Sequence, residues 1–182
     1  KQKMWYKREK ELNQYTQYLC EIDDFTIHFF YVKSKKNNAK AILLTHGWPD
    51  SFLRYTKLFP LLNDYDIIVP SIPGFAFSTL GKKEFMSNAE TAELWHKLMT
   101  DVLGYKEYVA SGGDMGRGIT CYLATNYPNE IKGIHLTDIG LVKEILDTED
   151  DKLSNDDTTV SVAGLVRDID VMVVGESNVL FV

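Results

Sequence analysis

Apolar residues along the chain come in short runs whose spacing changes from run to run, and each change marks an element. Charged and amide side chains dominate residues 4–14, with Trp5, Tyr6 and Leu12 as the apolar or aromatic positions, which predicts a surface helix. Residues 25–32 (FTIHFFYV) alternate before turning wholly apolar, a strand signature closed by the Lys/Asn-rich loop 33–40. The run Ala41-Ile42-Leu43-Leu44-Thr45 is apolar without alternation and stops at Gly47 and Pro49, as a strand buried on both faces should.

From there the pattern alternates. A helix is predicted over residues 52–63, a strand over 66–70 and a Pro/Gly loop at 72–75. The next helix is the best marked. Ser87-Asn88-Ala89-Glu90 is a capping box, Leu94, Trp95, Leu98, Met99 and Val102 recur at helical spacing, and Gly104 supplies the stop. A strand at 107–111, a helix at 116–127, a strand at 131–137 and a last strand at 169–175 complete the series. Strand-helix-strand alternation of this kind predicts an α/β domain with a largely parallel sheet and flanking helices.

Composition narrows the partners. The chain has 182 residues, 45% of them hydrophobic and 25% charged, the proportions of an ordinary globular domain. Its 20 Lys and Arg against 26 Asp and Glu leave a net charge of -6, which argues against nucleic acid and anionic membranes as partners. No stretch reaches the roughly 18–20 apolar residues of a membrane span, and Lys1-Gln2-Lys3 does not open a secretory signal. A cytoplasmic protein is expected, with Cys20 and Cys121 as reduced thiols outside any C-x-x-C spacing. The acidic stretch from Asp147 to Asp157 reads as a solvated linker, because a calcium loop would need Gly and Glu where Lys152 and Thr158 stand.

The stretch Tyr108-Val109-Ala110-Ser111-Gly112-Gly113-Asp114-Met115-Gly116-Arg117-Gly118 lies where a predicted strand hands over to a predicted helix. It has the small-x-nucleophile-x-small form of a nucleophile elbow, with Asp114 at the centre. So tight a turn crowds the residues two before and two after its centre, and Gly112 and Gly116 have no side chain to clash. A dinucleotide loop is excluded because Cys121 stands where the third glycine after Gly116 and Gly118 belongs. A Gly-rich turn that merely contains Asp would look the same on this motif alone.

Two further motifs supply context: Thr45-His46-Gly47-Trp48-Pro49-Asp50-Ser51 after one predicted strand, and Pro70-Ser71-Ile72-Pro73-Gly74-Phe75-Ala76-Phe77-Ser78 after the next. With the Gly-Gly-Asp-Met-Gly turn they stand in the order found in the epoxide hydrolases of the α/β-hydrolase superfamily, which this sequence resembles over about residues 5–139. Upstream, Trp5 to Asn13 and Ile27-His28-Phe29 resemble the N-terminal extension of the microsomal and juvenile-hormone type. On that resemblance the chain divides into an extension at 1–40, a hydrolase core at 41–146, and an acidic linker with a further core strand at 147–182.

The resemblance implies that Asp114 is the nucleophile, opening an epoxide to give an alkyl ester, with the backbone N–H groups of Trp48 and Met115 as the oxyanion hole. A carboxylate suits attack at saturated carbon, because its ester is still hydrolysable where a serine ether would be inert. His46 is implied to be structural, holding the loop that presents Trp48. Two positions depart from the family. Met115 stands where most relatives have Trp, which weakens a haloalkane dehalogenase reading that needs the indole N–H as a halide donor; Asp50 stands where Gly is commoner.

The family mechanism also uses a histidine base, an orienting acid and cap tyrosines. After Asp114 the sequence has His135 in a predicted buried strand, where a structural role is expected, and Tyr122 and Tyr127 on the helix following the turn. His28 and His96 are expected to be packed or solvated. Glu176, after a strand-like run at 171–174, is a weak candidate for the acid; on that alignment a cap would be missing between residues 139 and 169. The expected partners are a small apolar epoxide and water, with no metal or organic cofactor. Membrane attachment is not indicated, and no motif encodes the particular epoxide or the oligomeric state. On the resemblance the chain is expected to be a truncated hydrolase fold, without a recognisable cap or final strand and histidine, and with activity lost or reduced; the alternative from a different class is a non-catalytic truncated remnant of the fold that binds a hydrophobic ligand.

Overall fold

The computed structural model describes residues 2–137 and the two strand segments Asp170–Val174 and Val179–Phe181. Among them the strands are β1 (Gln17–Ile22), β2 (Phe25–Val32), β3 (Lys40–Thr45), β4 (Tyr65–Pro70), β5 (Tyr108–Gly112), β6 (Ile131–Thr137), β7 (Asp170–Val174) and β8 (Val179–Phe181). They form one sheet in the order β1-β2-β4-β3-β5-β6-β7-β8. From β4 to β7 in space the pairs are parallel, and the pairs at both margins are antiparallel. The expected α/β class with a largely parallel sheet is therefore what the chain adopts. The acidic stretch and Glu176 lie outside the described residues.

Helices α1 (Gln2–Leu12), α2 (Asn88–Lys97) and α3 (Met115–Asn126) flank this sheet. Alternate residues of the central strands face opposite layers. Leu43, Ala110, Ile134 and Leu136 pack with Trp95 and Leu98 from the α2 segment and with Ile119 and Leu123 of α3, whereas Phe30, Leu44, Ile67 and Val69 pack with Phe52, Tyr55 and Phe59. This is why residues 41–44 of β3 read as apolar without alternation. Each large side chain so buried contributes about 1.5–3 kcal/mol.

The capping box holds as expected: the Ser87 hydroxyl accepts from the Glu90 N–H, and the Glu90 carboxylate accepts from the Ser87 N–H. After Lys97 the helix widens into one π turn, Leu98–Val102, in which the Leu103 N–H donates to the Leu98 carbonyl at 3.0 Å. The extra residue rotates the apolar stripe, so Val102 ends up 46% exposed while Leu98 and Met99 stay buried. Gly104, at φ 76°, ends the segment.

The predicted helix at 52–63 is a correction. Only Phe52–Tyr55 is helical, and as a 3-10 turn capped by Ser51, followed by turns with bonds such as Leu58 N–H to Tyr55 C=O at 2.8 Å. Pro60 lacks the N–H that an α-helix needs there and biases Phe59 away from helical backbone. Two strands have no counterpart among the predictions. Strand β1 pairs with β2 across the two-residue turn Asp23-Asp24, with Ile22 opposite Phe25 and Asp23 at φ 51°. It is an edge strand with Tyr18 and Leu19 exposed, so no alternation marks it; β8 is the opposite edge.

Candidate active site

Parallel pairing of β3 with β5 sets Thr45 beside Gly112, and so brings the loop after β3 against the turn after β5. That turn is two residues long. Strand β5 ends at Gly112, α3 begins at Met115, and between them Asp114 takes φ 56° and ψ -125°, a backbone region costly for any residue with a side chain. Two close approaches enforce it. A Cβ on Gly112 would lie 2.2 Å from the Gly116 carbonyl oxygen, and one on Gly116 would lie 2.1 Å from the Thr45 carbonyl oxygen. The crowding expected of these glycines is thus real, but it falls on backbone rather than on Asp114. The glycine that abuts Asp114 is Gly47, whose added Cβ would meet Oδ1 at 2.4 Å, a constraint visible only once the two loops are side by side.

At this junction two backbone donors converge on one oxygen. Asp114 Oδ1 accepts from the Trp48 N–H at 2.9 Å and from the Met115 N–H at 2.7 Å. Charge-assisted bonds of this length are the stronger kind. The Met115 N–H belongs to the first turn of α3, whose unpaired donors favour negative charge. Trp48 is 69% exposed, and its bond to Asp114 is made by the backbone N–H. Asp50, the second departure from the family, accepts from the Ser51 N–H and pairs with Arg54 at 3.2 Å, which gives its carboxylate a local role in the loop.

His46 is fully buried at the base of that loop. Its Nδ1 lies 3.1 Å from the Gly47 carbonyl, and its Nε2 accepts from the Ile72 N–H at 3.1 Å. Burial pushes its pKa below the ordinary histidine value. His28 is buried too, with Nδ1 2.9 Å from Ser71 Oγ and Nε2 3.1 Å from Gln17 Oε1, and burial lowers its pKa to about 4. His135 sits on β6 with Nδ1 2.8 Å from Ser111 Oγ, its neighbour in register on β5. His96 stacks on Tyr127 with ring centroids 3.5 Å apart, and the Tyr127 hydroxyl donates to Glu93 at 2.5 Å. Tyr122 is on α3 and Tyr127 caps its C-terminal end, both bonded to Glu93 of α2. Among the described residues no group of three or more His, Cys, Asp or Glu could hold a metal ion, and no helix is long and apolar enough to cross a membrane. Cys20 and Cys121 are free thiols.

The turn thus presents a carboxylate at the C-terminal edge of a parallel sheet, under two converging N–H groups, on an α/β scaffold of the kind hydrolases share. Family models agree. Residues 40–161 match the alpha/beta hydrolase fold and residues 1–55 match the epoxide hydrolase N terminus. Epoxide hydrolase 1 of Oryctolagus cuniculus is 35% identical over 147 residues, covering 72% of this chain and 32% of that protein. Among solved structures, the juvenile hormone epoxide hydrolase of the silkworm Bombyx mori superposes with a TM-score of 0.69 at 32% identity, over 79% of this chain and 42% of that one. The epoxide hydrolase of Aspergillus niger gives 0.66 at 31% identity, over 74% and 37%. The chain belongs to the alpha/beta hydrolase fold family, on its epoxide hydrolase branch. It spans about a third of the length of the curated relatives it matches.

Proposed function

We propose that the protein opens small or medium apolar epoxides by nucleophilic attack from Asp114. The observation that carries this reading is the convergence of the Trp48 and Met115 N–H groups on Oδ1. With Oδ1 held there, Oδ2 is the attacking atom. It bonds to a ring carbon, the ring C–O bond breaks, and the released oxygen takes up a proton, leaving a hydroxyalkyl ester on Asp114. Water then adds to Cγ, passing one proton to the departing diol oxygen and the other to solvent, which balances the proton taken up in the first step. The negative charge gathers on Oδ1, already seated under two fixed donors, where such stabilisation contributes a few kcal/mol. Cleavage of the ester C–O bond releases the diol and restores the carboxylate. The nucleophile elbow and the oxyanion hole belong to this proposal, as do the roles of the three residues.

A second reading, an apolar-ligand binder without turnover, draws on the histidines. His28 and His46 have both ring nitrogens engaged, His135 is bonded to Ser111, and His96 is stacked on Tyr127. One experiment separates the two. Purified chain is incubated with styrene oxide, and intact-protein mass spectrometry is combined with diol quantitation. Diol formation, or a stable single adduct mapped to Asp114, supports the nucleophile; reversible binding with neither product supports the binder. Asp114→Ala should abolish adduct and diol alike, and unchanged product formation in that variant would remove Asp114 from the mechanism.

A further inference from the structure

Strand β1 has a backbone row without a neighbour. In its ladder with β2 the register continues to Thr16, whose carbonyl accepts from the Tyr31 N–H at 3.1 Å. Antiparallel pairs alternate between bonded and non-bonded, so Tyr18, Cys20 and Ile22 turn their backbone groups toward β2, and Gln17, Leu19 and Glu21 turn theirs outward. The far side of β2 has the matching phase: the N–H groups of Thr26 and His28 point away from β1, to the hydroxyls of Thr79 and Ser78. Among the described residues nothing pairs with the outward row, since β1 ends the sheet. Pro, Lys and a bulge, the usual defences of an edge, are missing from QYLCEI, and its one charge, Glu21, stands near the end. Leu19 at the middle is 63% exposed and Tyr18 is 45% exposed.

We infer that β1 is an interaction edge for a second copy of this chain, joined antiparallel across a two-fold axis at Leu19. Only one such register pairs all three outward residues with one another: Leu19 with Leu19, and Gln17 with Glu21 in both directions. It gives three bonded pairs, about six hydrogen bonds in all. The side chains match as well. Leu19 meets its copy on one face, and Tyr18 meets Cys20 on the other. The Gln17 amide oxygen lies 3.1 Å from His28 Nε2, which leaves N–H groups to donate to the Glu21 carboxylate. At each end the acidic turn Asp23-Asp24 of one copy comes beside Gln14 and Tyr15 of the other, at a cleft of about 310 Å³ whose lining includes Gln14, Tyr18, Tyr31 and Lys33. Asp23 is already paired with Lys97 at 2.6 Å, so Asp24 is the carboxylate that meets Lys33. Strands β2, β4 and β3 separate this edge from β5 and its turn, and the inference does not depend on the hydrolase reading.

Sedimentation of the purified chain at micromolar to sub-millimolar concentration gives the first readout. A reversible monomer–dimer equilibrium is expected. Leu19→Lys should raise its dissociation constant about tenfold or more, because it sets two ammonium groups side by side on the axis. Leu19→Pro should weaken the dimer too, since the N–H it removes points outward and the β1–β2 ladder keeps its bonds. Both variants should retain the wild-type circular dichroism; if the Pro variant does not fold, the Lys variant decides. Cross-linking reads the register. Cys20 lies opposite Tyr18 of the other copy and only diagonal to its Cys20, so wild type should stay uncross-linked in oxidised glutathione. Tyr18→Cys should become a covalent dimer, and adding Cys20→Ser should prevent it. A wild type that is monomeric throughout overturns the inference, as does a dimer that Leu19→Lys leaves intact or Tyr18→Cys fails to cross-link. Hydrogen exchange identifies a rival occupant: slow Leu19 and Glu21 amides in a monomeric chain would mean that another segment of the same chain holds the edge, which also overturns it.

Discussion

The two N–H groups that meet at Asp114 Oδ1 reach it by different routes. Met115 follows Asp114 in sequence, and its donor is aimed by the turn that joins β5 to α3: the backbone at Asp114 and the contact of Gly112 with Gly116 leave it no other direction. Trp48 lies 66 residues away, on a loop that the tight turn does not control, and is held through His46, Tyr55 and the Thr45 carbonyl. One donor is local and enforced by sterics. The other is tertiary and depends on a chain of hydrogen bonds. Damage to the first should therefore show as lost folding, and damage to the second as lost chemistry on an intact fold.

A pair of glycine substitutions puts that difference to its hardest test. Gly116→Ala drives a Cβ to 2.1 Å from the Thr45 carbonyl oxygen, backbone against backbone with no flexible atom to yield. A loss of about 4 kcal/mol or more is expected, since overpacking and backbone distortion add. Thermal and urea unfolding would show it. Gly47→Ala instead directs its Cβ at the Asp114 side chain, 2.4 Å from Oδ1 and 2.5 Å from Cβ, so rotating the carboxylate relieves only part of the clash and the loop must shift as well. Stability should fall by about 2 kcal/mol, less than in Gly116→Ala, whereas hydrolysis of the Asp114 adduct should slow about a hundredfold as Oδ1 leaves its donors. If the two variants lost stability equally, the division into a local and a tertiary donor would be wrong.

The same division explains what the sequence could announce. The turn around Asp114 is written in consecutive residues, because the glycines that permit it must sit two before and two after the centre. The α2 capping box and β3 are local in the same sense. The site's tertiary half was legible only through the resemblance, which supplied Trp48 without a physical reason for it. Gly47's contact with Oδ1, the Ile72 N–H on His46 and the Ser111 partner of His135 join loops or strands far apart in sequence, and no window of residues contains them. The mistaken helix at 52–63 failed for a nearer reason. Its apolar spacing is real, since Phe52, Tyr55 and Phe59 are all buried, but Pro60 forbids the hydrogen bonds that would make that spacing helical.

A pH experiment sharpens the comparison by asking whether the loops are held by neutral imidazoles. His28 clasps the loop after β4 through Ser71 and is lowered from 6.5 to about 4 by burial. The unfolded chain takes up this proton near pH 6.5 and the folded chain only near 4, so the folded state gains stability as pH rises through that window. The contribution is complete above 6.5 and is lost as pH falls toward 4, by up to about 3 kcal/mol. His46 and His135 shift in the same direction, so the His28 share must be isolated by difference. Urea midpoints of wild type and His28→Gln at several pH values should converge on acidification. Parallel curves would show that His28 is not held neutral by the fold.

The smallest expected effect lies where the two halves touch. The Thr45 carbonyl oxygen faces Gly116 of the local half and accepts from the Tyr55 hydroxyl at 2.8 Å in the tertiary half. Tyr55→Phe removes that donor and keeps the buried ring, so the cost should be about 1 kcal/mol, the net value of one hydrogen bond. Hydrolysis of the Asp114 adduct should slow only slightly, because His46 still grips the Gly47 carbonyl. The combination with Gly116→Ala is more telling than the single change. If the carbonyl must shift to admit the new Cβ, the Tyr55 bond is already lost in Gly116→Ala, and removing the hydroxyl as well should cost less than it does alone. A double-mutant cycle in urea measures this directly. Strict additivity would mean that the carbonyl stays put and Gly116 moves instead, placing the give in the turn rather than in the loop that carries Trp48.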